Sequence, residues 1–548
     1  MEKHKKNEEY VLKITDIGVN GEGIGHLDDG YTLFVQGAVP GDEIRVRIVK
    51  AGSKFGYGRV MEITGASADR CESLCSISGR CGGCQLMHIK YEAQLKYKES
   101  KVKNDLIRIG GVSEDIIKRI TEPVIGMEDP LRYRNKAQYP VGYDKEGRIV
   151  FGFYAARSHD IIPVEDCLLG SDNDRSILEA VRDWMGRCDL SAYDESSGTG
   201  LVRHVLIRHS AYDGSAMVCI VVNAPSPVNS TDLAKLLCVI RDIRSVYFNS
   251  NMERTNVILG DKYFCVFGSD TIEDRIMDKR FKISPASFYQ VNPVQTEKLY
   301  STALEYAGLT GNETVWDLYC GIGTISLFLA PQAKEVYGIE IVPEAIDDAC
   351  ENAKLNGISN AHFYCGAVEE VLPAEPLPHP EVIVVDPPRK GLDEICLKTI
   401  IDTAPDRVVY VSCDPATLSR DIRILCDNGY ELRRVRPCDM FPNTVHVETV
   451  CLLSQRKPDT TIEVDLDISE LEVSSAETKA TYEEIKSYVL NKFGLKVSNL
   501  YIAQVKRECG IVERINYNLP KTEGNRVPQC PEDKRKAIKD AFIHFQMI

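Results

Sequence analysis

Between Thr314 and Leu453, short apolar segments alternate with amphipathic ones, and this alternation constrains the fold more than any other feature of the chain. The apolar segments have the length of buried strands, and the stretches between them have the length and periodicity of helices. The strand-like segments are TVWDLY, EVYGIE, AHFYC, EVIVVD and RVVYVS. Strands that alternate with helices form a parallel sheet with helices on both faces. The sequence therefore predicts a doubly wound, Rossmann-like α/β domain with its ligand site at the carboxyl ends of the strands.

The first of these strands leads into the turn Cys320-Gly321-Ile322-Gly323, just before a helical segment. Glycines allow a tight turn and close approach of the backbone to a ligand, although the third glycine of the dinucleotide-binding fingerprint is missing. Glu340 ends the next strand, about twenty residues on, where a carboxylate accepts hydrogen bonds from ribose hydroxyls. A nucleoside cofactor without a pyrophosphate fits both features, and S-adenosylmethionine is the common one. The alternative is that the glycines only shape a turn and Glu340 caps a helix.

Reactive side chains lie at three further strand ends. Asp386 ends VIVVD before two prolines that fix an extended loop, and Cys413 has the same position one strand later. Glu448 precedes or begins the final strand and is a candidate general base. A cysteine in such a place becomes a nucleophile when its surroundings stabilise the thiolate. Taken singly, Cys413 could be an inert core thiol and Glu448 a solvated surface group, but their order along the chain favours one shared crevice.

The rest of the chain predicts further domains, because 548 residues exceed a single core. Short β-like segments separated by turn residues predict a small barrel of the oligonucleotide-binding (OB) kind near the N-terminus. The C-terminal segment predicts two helices around a glycine-containing turn, for which a basic solvated pair is favoured over a nucleic-acid-binding helix-turn-helix. The predicted divisions are an OB-like barrel over residues 5–65, an α+β middle domain over 66–283, the α/β domain over 284–455, an acidic linker over 456–479 and a helical appendage over 480–548.

The formal net charge of −15 argues against a nucleic-acid ligand only if charge is spread evenly, and it is not. From Arg80 to Arg108 there are seven lysines and arginines against three acids, whereas Asp459 to Glu484 holds nine acids and one lysine. The N-terminal residues are polar and no apolar run of about 18 residues follows, so we expect a cytosolic protein without a signal peptide or membrane span. Its nineteen cysteines are then expected to be reduced.

Four of these cysteines lie close together in RCESLCSISGRCGGCQLMHI. Cysteine thiolates at such spacing close a zinc or an iron–sulfur site. On spacing alone, a zinc ion held by all four is the first choice. The four are Cys71, Cys75, Cys81 and Cys84.

The motifs SPASFYQVNP, DLYCGIGT, DPPRKG, YVSCDPATLSRD and MFPNTVHVE, with CxxxxxCGGCQ nearer the N-terminus, resemble the RNA uracil-5 methyltransferases, specifically the bacterial 23S ribosomal RNA type with a TRAM domain and an iron–sulfur cluster. The resemblance covers roughly Glu9 to Leu453. It implies S-adenosylmethionine-dependent methylation of uridine at C5, with Cys413 as nucleophile and Glu448 as base. It also implies a base-stacking role for Phe288 and a set of cofactor contacts. These contacts are Gln290, Tyr319, Gly321, Glu340 and Asp386.

For the cysteines, the resemblance implies a 4Fe-4S cluster rather than zinc. Its ligands would be Cys75, Cys81, Cys84 and the distant Cys167. Cys71 would then be spare, and His88 would be a packing residue. The cluster is expected to be structural.

Basic side chains are candidates for the RNA path. The predicted helix from Lys90 to Arg108, and the side chains of Arg132, Arg134 and Lys136, could contact phosphates, although a solvated helix face is as good an interpretation. The family resemblance, through the barrel and the cysteine motif, implies ribosomal RNA rather than transfer RNA as the substrate, and a monomer is expected. The competing classes are a transfer RNA uracil-5 methyltransferase, an exocyclic-amine methyltransferase without a covalent nucleophile, and a non-catalytic iron–sulfur RNA-binding protein.

Two positions depart from the family pattern. Asp414 replaces a common asparagine, and its charge beside Cys413 is expected to oppose thiolate formation. Gly366-Ala367 stands where a polar adenine contact is common, so that contact is expected from the backbone.

Overall fold

The computed structural model describes residues 4–156, 158–456, 481–509, 530–545 and 547. The chain divides into two compact units, Met1–Lys457 and Pro458–Ile548. Most of the predicted acidic linker, residues 457–479, lies outside the described residues. Among the described helices, none combines the length and apolar character needed to cross a membrane.

The N-terminal residues form a closed five-stranded barrel with the strand order β1-β2-β3-β5-β4. The strands are β1 Glu9–Ile17, β2 Gly23–His26, β3 Thr32–Gln36, β4 Glu43–Ala51 and β5 Phe55–Gly65. Alternate residues point inward, as the two-residue period of a strand requires, and fill the barrel with aliphatic side chains such as Leu33, Val35, Ile44 and Val46. The predicted OB-like barrel is therefore confirmed.

The segment after the barrel carries the cysteines and two helices, and a seven-stranded mixed sheet follows. The helices are α1 Tyr91–Arg108 and α2 Glu114–Ile120. The sheet has the order β12-β11-β10-β9-β6-β7-β8. Its strands are β6 Lys136–Tyr143, β7 Ile149–Tyr154, β8 Ile161–Pro163, β9 Val202–His209, β10 Ala216–Val222, β11 Ile243–Ser250 and β12 Lys262–Gly268, with helices α3 Asp174–Arg187 and α4 Ser230–Leu237. A hairpin of β13 Ile272–Ile276 and β14 Lys279–Ile283 leads onward.

The second seven-stranded sheet has the order β17-β16-β15-β18-β19-β21-β20. Strands β15 to β19 are parallel, and β21 is antiparallel to both of its neighbours. The strands are β15 Thr314–Leu318, β16 Glu335–Glu340, β17 Ala361–Cys365, β18 Val382–Val385, β19 Arg407–Ser412, β20 Tyr430–Cys438 and β21 Glu448–Gln455. The helices are α5 Pro293–Ala307, α6 Thr324–Leu329, α7 Pro343–Leu355, α8 Val368–Ala374, α9 Glu394–Thr403 and α10 Pro415–Asp427. Apolar clusters cover both faces of this sheet, so the predicted doubly wound domain is present.

Helix α1 packs against this second sheet, although the sequence suggested a basic surface helix. It contacts α10 and β20, and its inner face buries Gln94, Lys98, Val102 and Leu106. The Lys98 ammonium is fully buried and pairs with the equally buried carboxylate of Asp439. Part of the positive charge of α1 is therefore used inside the protein and is not available to a phosphate.

Replacing Lys98 with methionine is expected to destabilise the larger unit, because Asp439 would keep a buried charge without its cation. The expected loss in the free energy of unfolding is about 3–5 kcal/mol, measured by urea denaturation. The double variant Lys98→Met/Asp439→Asn removes the charge and should recover most of that loss. A double variant no more stable than the single one would show that the buried charge is not the cause.

The C-terminal unit contains the helices α11 Tyr482–Phe493, α12 Asn499–Glu508 and α13 Glu532–His544. Helix α11 begins with a capping box between Thr481 and Glu484 and ends at Gly494, whose φ of 68° suits glycine. Side chains such as Ile502 and Phe542 form a small apolar core. The two helices expected around a glycine turn are present, and α13 packs against both.

Candidate active site

A cavity of about 1280 Å³ opens at the carboxyl ends of the parallel strands β15, β16, β18 and β19. This is the edge at which ligands bind in open α/β sheets. Eight side chains or backbone positions predicted from the sequence line it together. They are Phe288, Gln290, Tyr319, Gly321, Glu340, Asp386, Cys413 and Glu448. The candidate nucleophile and the candidate base therefore face one cavity.

The glycine turn after β15 is shaped by left-handed backbone conformations. Tyr319, Gly321 and Gly323 have φ angles of 73°, 55° and 79°, and Tyr319 is unusual because it carries a bulky side chain. A side chain at Gly323 would meet the Phe363 ring at 3.0 Å. The Glu340 carboxylate accepts hydrogen bonds from the backbone N–H groups of Gly321 at 3.2 Å and Val342 at 3.0 Å. Glu340 thus holds the turn and also faces the cavity.

The wall next to this turn contains buried carboxyl groups. Burial raises the pKa of Asp386 to about 7, and the neighbouring Asp317 adds to the effect. Burial likewise raises the pKa of Asp317 to about 6, although the Ser326 hydroxyl donates a hydrogen bond to it. Gly366 and Ala367 also line the cavity, and the backbone there is the only polar group of these two residues that a ligand could contact.

Cys413 lies between the end of β19 and the start of α10 and is partly exposed. Burial raises the pKa of its thiol to about 12, and the carboxyl groups of Glu448 and Asp386 add to the rise. The Arg389 guanidinium acts in the opposite direction. Asp414 has another role than the one expected, because its carboxylate caps α10 by accepting from the N–H groups of Ala416 and Thr417 at 3.0 and 3.1 Å.

Glu448 is the first residue of β21, and its side chain is buried. Burial raises the pKa of its carboxyl group to about 8, and Asp386 adds to this effect while Arg389 opposes it. At neutral pH the free protein therefore holds Glu448 mainly as the neutral acid. Loss of its proton, which a general base requires, becomes favourable once a positive charge or higher pH stabilises the carboxylate.

The cavity wall near the reactive side chains contains three further residues to which the sequence interpretation assigned no role. Arg389, Phe441 and His446 all line the cavity beside Cys413 and Glu448. Burial lowers the pKa of His446 to about 4, and nearby cations such as Arg389 lower it further, so the imidazole is neutral. Each of the three lies in a motif already quoted, DPPRKG or MFPNTVHVE. The sequence signal that could have identified them is a basic or aromatic residue close in sequence to a candidate reactive residue.

Replacing Asp386 with asparagine is expected to make Cys413 more reactive, because a negative neighbour is removed and the pKa of the thiol falls. Asp386 itself ionises near pH 7, so both proteins should react alike below that pH. Above it, iodoacetamide should alkylate the variant faster, by roughly three- to fourfold for each unit of pKa decrease, because the thiolate fraction rises while the nucleophilicity of each thiolate falls. Mass spectrometry of the Cys413 peptide measures the rate, with the exposed Cys238 as internal control. If the alkylation rate of Cys413 depended on pH identically in the variant and in the unsubstituted protein, the proposed electrostatic effect of Asp386 on the thiol would be contradicted.

The predicted basic contacts lie outside this cavity wall. Arg132 pairs with Asp166 at 2.6 Å and donates to the carbonyl of Cys167 at 2.8 Å. The Arg134 guanidinium lies 5.9 Å from the centre of the Phe441 ring. Burial lowers the pKa of Lys136 to about 7, with a smaller effect from a neighbouring arginine. Arg132 thus lies beside Cys167, and the charge of Arg134 is close enough to Cys84 and Cys167 to act against the rise in the pKa of their thiols. Contact of the three basic side chains with RNA stays a prediction.

The cysteine segment gathers the predicted sulfur ligands in one partly apolar pocket. Cys75, Cys84 and Cys167 pack against a cluster formed by Met87, Tyr133 and Leu169. Burial raises the pKa of the Cys84 thiol to about 12, and Cys167, Cys81 and Cys75 add to the rise because their charges are near. Cys71 instead donates a hydrogen bond to the Met87 carbonyl.

Within the described part of the chain, no group of three or more His, Cys, Asp or Glu side chains is arranged to hold a metal ion. The single-ion zinc site that spacing favours is therefore not formed, and Cys71 stands apart from the other four cysteines. Burial lowers the pKa of His88 to about 4, which agrees with a packing role.

Sequence profiles of known families match three parts of the chain. The profile of tRNA (uracil-5-)-methyltransferases matches residues 379–456, which contain Asp386, Cys413 and Glu448. The TRAM domain profile matches residues 3–61, and that of the TRM5/TYW2 methyltransferase domain matches residues 278–390. The barrel and the cavity-bearing sheet therefore each have a counterpart in known families.

Similar proteins extend over most of the chain. Proteins of Clostridium acetobutylicum and Halalkalibacterium halodurans are 48% and 47% identical to it, over 82% of this chain and 98% and 97% of their own length. Both are described as uncharacterized RNA methyltransferases. The crystal structure of Pyrococcus abyssi tRNA (uracil-54, C5)-methyltransferase in complex with S-adenosyl-L-homocysteine aligns with a TM-score of 0.66 and 26% identity, over 81% of this chain and 99% of that one.

The sheet and its cavity thus define a methyltransferase of the kind that binds S-adenosylmethionine. The chain belongs to the RNA uracil-5 methyltransferase family and is an RNA methyltransferase with an N-terminal TRAM domain.

Proposed function

We propose that this enzyme methylates C5 of a uridine in 23S ribosomal RNA through a covalent bond between Cys413 and C6 of the base. The observation that supports the proposal most strongly is that Cys413 and Glu448 line one cavity at the carboxyl edge of the sheet. The side chains proposed to hold S-adenosylmethionine line the same cavity. They are Gln290, Tyr319, Gly321, Glu340 and Asp386, with Phe288 exposed at its rim as the proposed stacking residue for a base.

The chemistry requires a nucleophile because C5 of uracil is too weak a nucleophile to accept a methyl group unaided. Addition of the Cys413 thiolate to C6 creates an enolate whose electron density is on C5, and Arg389 is placed to favour the thiolate. S-adenosylmethionine supplies the methyl group that C5 accepts. Glu448 then removes the C5 proton, the C5–C6 double bond re-forms, and Cys413 leaves as the thiolate. The target base must leave its stack to enter such a cavity.

Incubation with RNA that contains 5-fluorouridine, together with S-adenosylmethionine, tests the covalent step. Fluorine at C5 cannot be removed as a proton, so a stable complex of protein and methylated RNA is expected. An active enzyme that forms no such complex would contradict the proposal and favour exocyclic-amine methylation. A protein that binds RNA but neither methylates nor traps it would indicate the non-catalytic alternative.

Transfer RNA is the second candidate substrate, since the aligned P. abyssi structure is that of a tRNA (uracil-54, C5)-methyltransferase. Mapping 5-methyluridine in 23S ribosomal and transfer RNA, from cells with and without the gene, decides between the two. Loss of 5-methyluridine from 23S RNA alone is the expected result. Loss from transfer RNA alone would overturn the ribosomal assignment and leave the chemistry in place.

The barrel offers a surface for RNA, which we propose as a contact outside the cavity. Phe34, Phe55 and Tyr57 point outward from β3 and β5, with ring centroids 5.6 to 6.1 Å apart. Phe55 is 47% exposed, and Arg59 lies two residues beyond Tyr57 on the same face. Exposed aromatic rings on such barrels stack on the bases of single strands, and a basic rim contacts phosphates.

Replacing Phe55 and Tyr57 with alanine should weaken binding of single-stranded RNA by about 1–3 kcal/mol for each base that loses its stacking partner, or roughly 5- to 150-fold. The salt dependence of binding should not change, because no charge is removed. Val11→Ala, which truncates an exposed apolar side chain on another barrel strand, is the control. Unchanged affinity of the double variant, measured by fluorescence anisotropy, would exclude this surface.

We further propose that Cys75, Cys81, Cys84 and Cys167 hold a 4Fe-4S cluster. In such a cluster each cysteine binds a different iron, so the four sulfurs need not converge on one point. Backbone N–H groups near these sulfurs would support bound cysteinates. Gly83 donates a hydrogen bond to the Cys81 sulfur at 3.4 Å, and the N–H groups of Leu169 and Gly170 oppose the rise that burial gives to the pKa of Cys167.

Iron and sulfide analysis and visible absorption of anaerobically purified protein test this proposal. Four irons and four sulfides are expected for each chain. Cys167→Ala should lower this content, and Cys71→Ala, the matched control, should not. Zinc or no metal in the purified protein would contradict the cluster.

A further inference from the structure

The segment that presents Glu448 is the connection between β20 and β21, residues 439–447, here called the base loop. It contributes Phe441 and His446 to the cavity wall and ends directly at Glu448, the first residue of β21. The position of the Glu448 carboxylate therefore depends on how firmly this loop is held. Within the loop, Asn443 has a left-handed φ of 67°, a conformation that must be stabilised by its surroundings.

Asn443 uses both its backbone groups and both its side-chain groups in hydrogen bonds. Its backbone N–H donates to Gln94 Oε1 at 2.9 Å, and its carbonyl accepts from the N–H groups of Gln85 and Leu86 at 3.1 and 3.0 Å. Its side-chain amide donates to the Pro130 carbonyl at 3.0 Å, and its Oδ1 accepts from Gln94 Nε2 at 3.2 Å. The base loop is thus joined to the segment that follows Cys84.

The side-chain amide of Gln94 makes the hydrogen bonds that link these segments. Gln94 lies on the inner face of α1, is 2% exposed, and bonds to Asn443 through both ends of its amide. The same Nε2 also contacts the carbonyls of Leu86 and Ile89 at 3.1 and 2.9 Å. One side chain therefore connects three parts of the chain, namely α1, the cysteine segment and the base loop.

Other buried side chains hold three further carbonyls of the base loop. Lys98 donates to the Phe441 carbonyl, Tyr133 to that of Pro442 and Asn292 to that of Met440, at 3.0 to 3.1 Å. Gln94 differs from them because it alone, among the described side chains, bonds to both the backbone and the side chain of the strained Asn443.

We propose that Gln94 is a positioning residue for Glu448, acting through Asn443 and the base loop. This inference rests on the proposed function of Glu448 as the base that removes the C5 proton. Glu448 acts only in the last step, whereas Cys413 is held by β19 and α10 and adds to the base first. Loosening the base loop should therefore slow proton removal and leave covalent addition largely intact.

The test compares Gln94→Met, which keeps the volume of the side chain and removes its hydrogen bonds, with Asn443→Gly, which suits the left-handed backbone and removes only the side-chain contacts. Turnover should fall about ten- to a hundredfold in Gln94→Met, since displacements near 1 Å cost that much, and less in Asn443→Gly. With ordinary RNA, a methylated covalent complex should accumulate. With 5-fluorouridine RNA, the rate of complex formation should stay within a few fold.

The matched control is Asn360→Ala. Its side-chain amide also bonds to backbone carbonyls, those of Ala330 and Ala333, but at the opposite edge of the sheet from the cavity. This variant should show no accumulated complex. Thermal unfolding and S-adenosylmethionine binding of each variant report whether the fold is intact.

Two outcomes would overturn the proposal. One is turnover in Gln94→Met and Asn443→Gly within twofold of the unsubstituted enzyme. The other is an equal loss of turnover and of complex formation in folded variants that bind cofactor, because a general structural defect would affect both steps. If the unsubstituted enzyme itself forms no complex with 5-fluorouridine RNA, the proposed function fails, and that result is separate from either outcome.

Discussion

Alanine in place of Cys413 is expected to abolish both RNA methylation and the covalent complex with 5-fluorouridine RNA. Without the sulfur no bond forms at C6, so C5 never gains the electron density that it needs to accept a methyl group. Loss of a catalytic nucleophile lowers turnover by on the order of 10⁴-fold or more. Methyl transfer from radiolabelled S-adenosylmethionine to RNA measures turnover, and a shifted band on a denaturing gel detects the complex.

The control is Cys426→Ala, which removes a partly buried thiol from α10, the helix that Cys413 precedes. It should retain methylation and complex formation. The cofactor should still bind to Cys413→Ala, because the glycine turn and Glu340 are unchanged. Methylation that persists in Cys413→Ala would contradict covalent catalysis and indicate direct methylation of an exocyclic amine.

Glutamine in place of Glu448 is expected to stop the reaction after methyl transfer. The amide keeps the size of the side chain but cannot accept the C5 proton, so the methylated base stays bonded to Cys413. Turnover should fall by about 10²- to 10⁴-fold, the usual contribution of a general base. Mass spectrometry should find the methylated covalent complex with ordinary RNA, without fluorine at C5.

The pH dependence offers a second readout of the same residue. The folded-state pKa of Glu448 is raised to about 8, so the fraction of enzyme with the charged base, and with it the proton-removal step, should increase as pH rises through 8. Glu431→Gln is the matched control, because this acid lies on β20 away from the cavity wall and should retain full activity. A Glu448→Gln variant that releases methylated RNA at the normal rate would assign the base to another group.

The α/β domain could be predicted because its parallel strands are buried on both faces and read as short apolar runs. Strand β20 could not be recognised in this way. It is the edge strand of the sheet, and its sequence YELRRVRPC places charged residues among the apolar ones. The pattern expected for a buried parallel strand is absent there. The strand nevertheless completes the sheet, and its pairing with β21 fixes the position at which β21 begins, which is Glu448.

The eight cavity-lining residues named from the sequence could be predicted because strand ends of one sheet meet at one edge, whatever their separation in sequence. The electrostatics could not be predicted to the same extent. Asp414 is adjacent to Cys413 in sequence, but its carboxylate points to the N–H groups at the start of α10, whereas Asp386 and Glu448 act on the thiol from other strands. Side-chain direction depends on the packed structure rather than on proximity along the chain.

The inward-facing side chains of helix α1 also could not be predicted from the sequence. Its lysines were interpreted either as phosphate contacts or as a solvated face, yet Lys98 and Gln94 point inward and hold a loop contributed by residues far along the chain. No local pattern reveals a buried pair of that separation. The ion pair of Arg132 with Asp166, which is partly exposed and joins residues 34 positions apart, was not predicted either.

Lys98 and Asp439 are 341 positions apart, and this distance has a consequence for biosynthesis. At about 5–20 residues per second, the ribosome takes roughly 20 to 70 s to deliver the carboxylate after the lysine has been added. Through that interval the first strands of the nascent chain can close into their barrel, but α1 has no docking place. Emergence of the segment that contains Asp439 therefore sets the earliest moment at which α1 can dock and the catalytic sheet can become rigid.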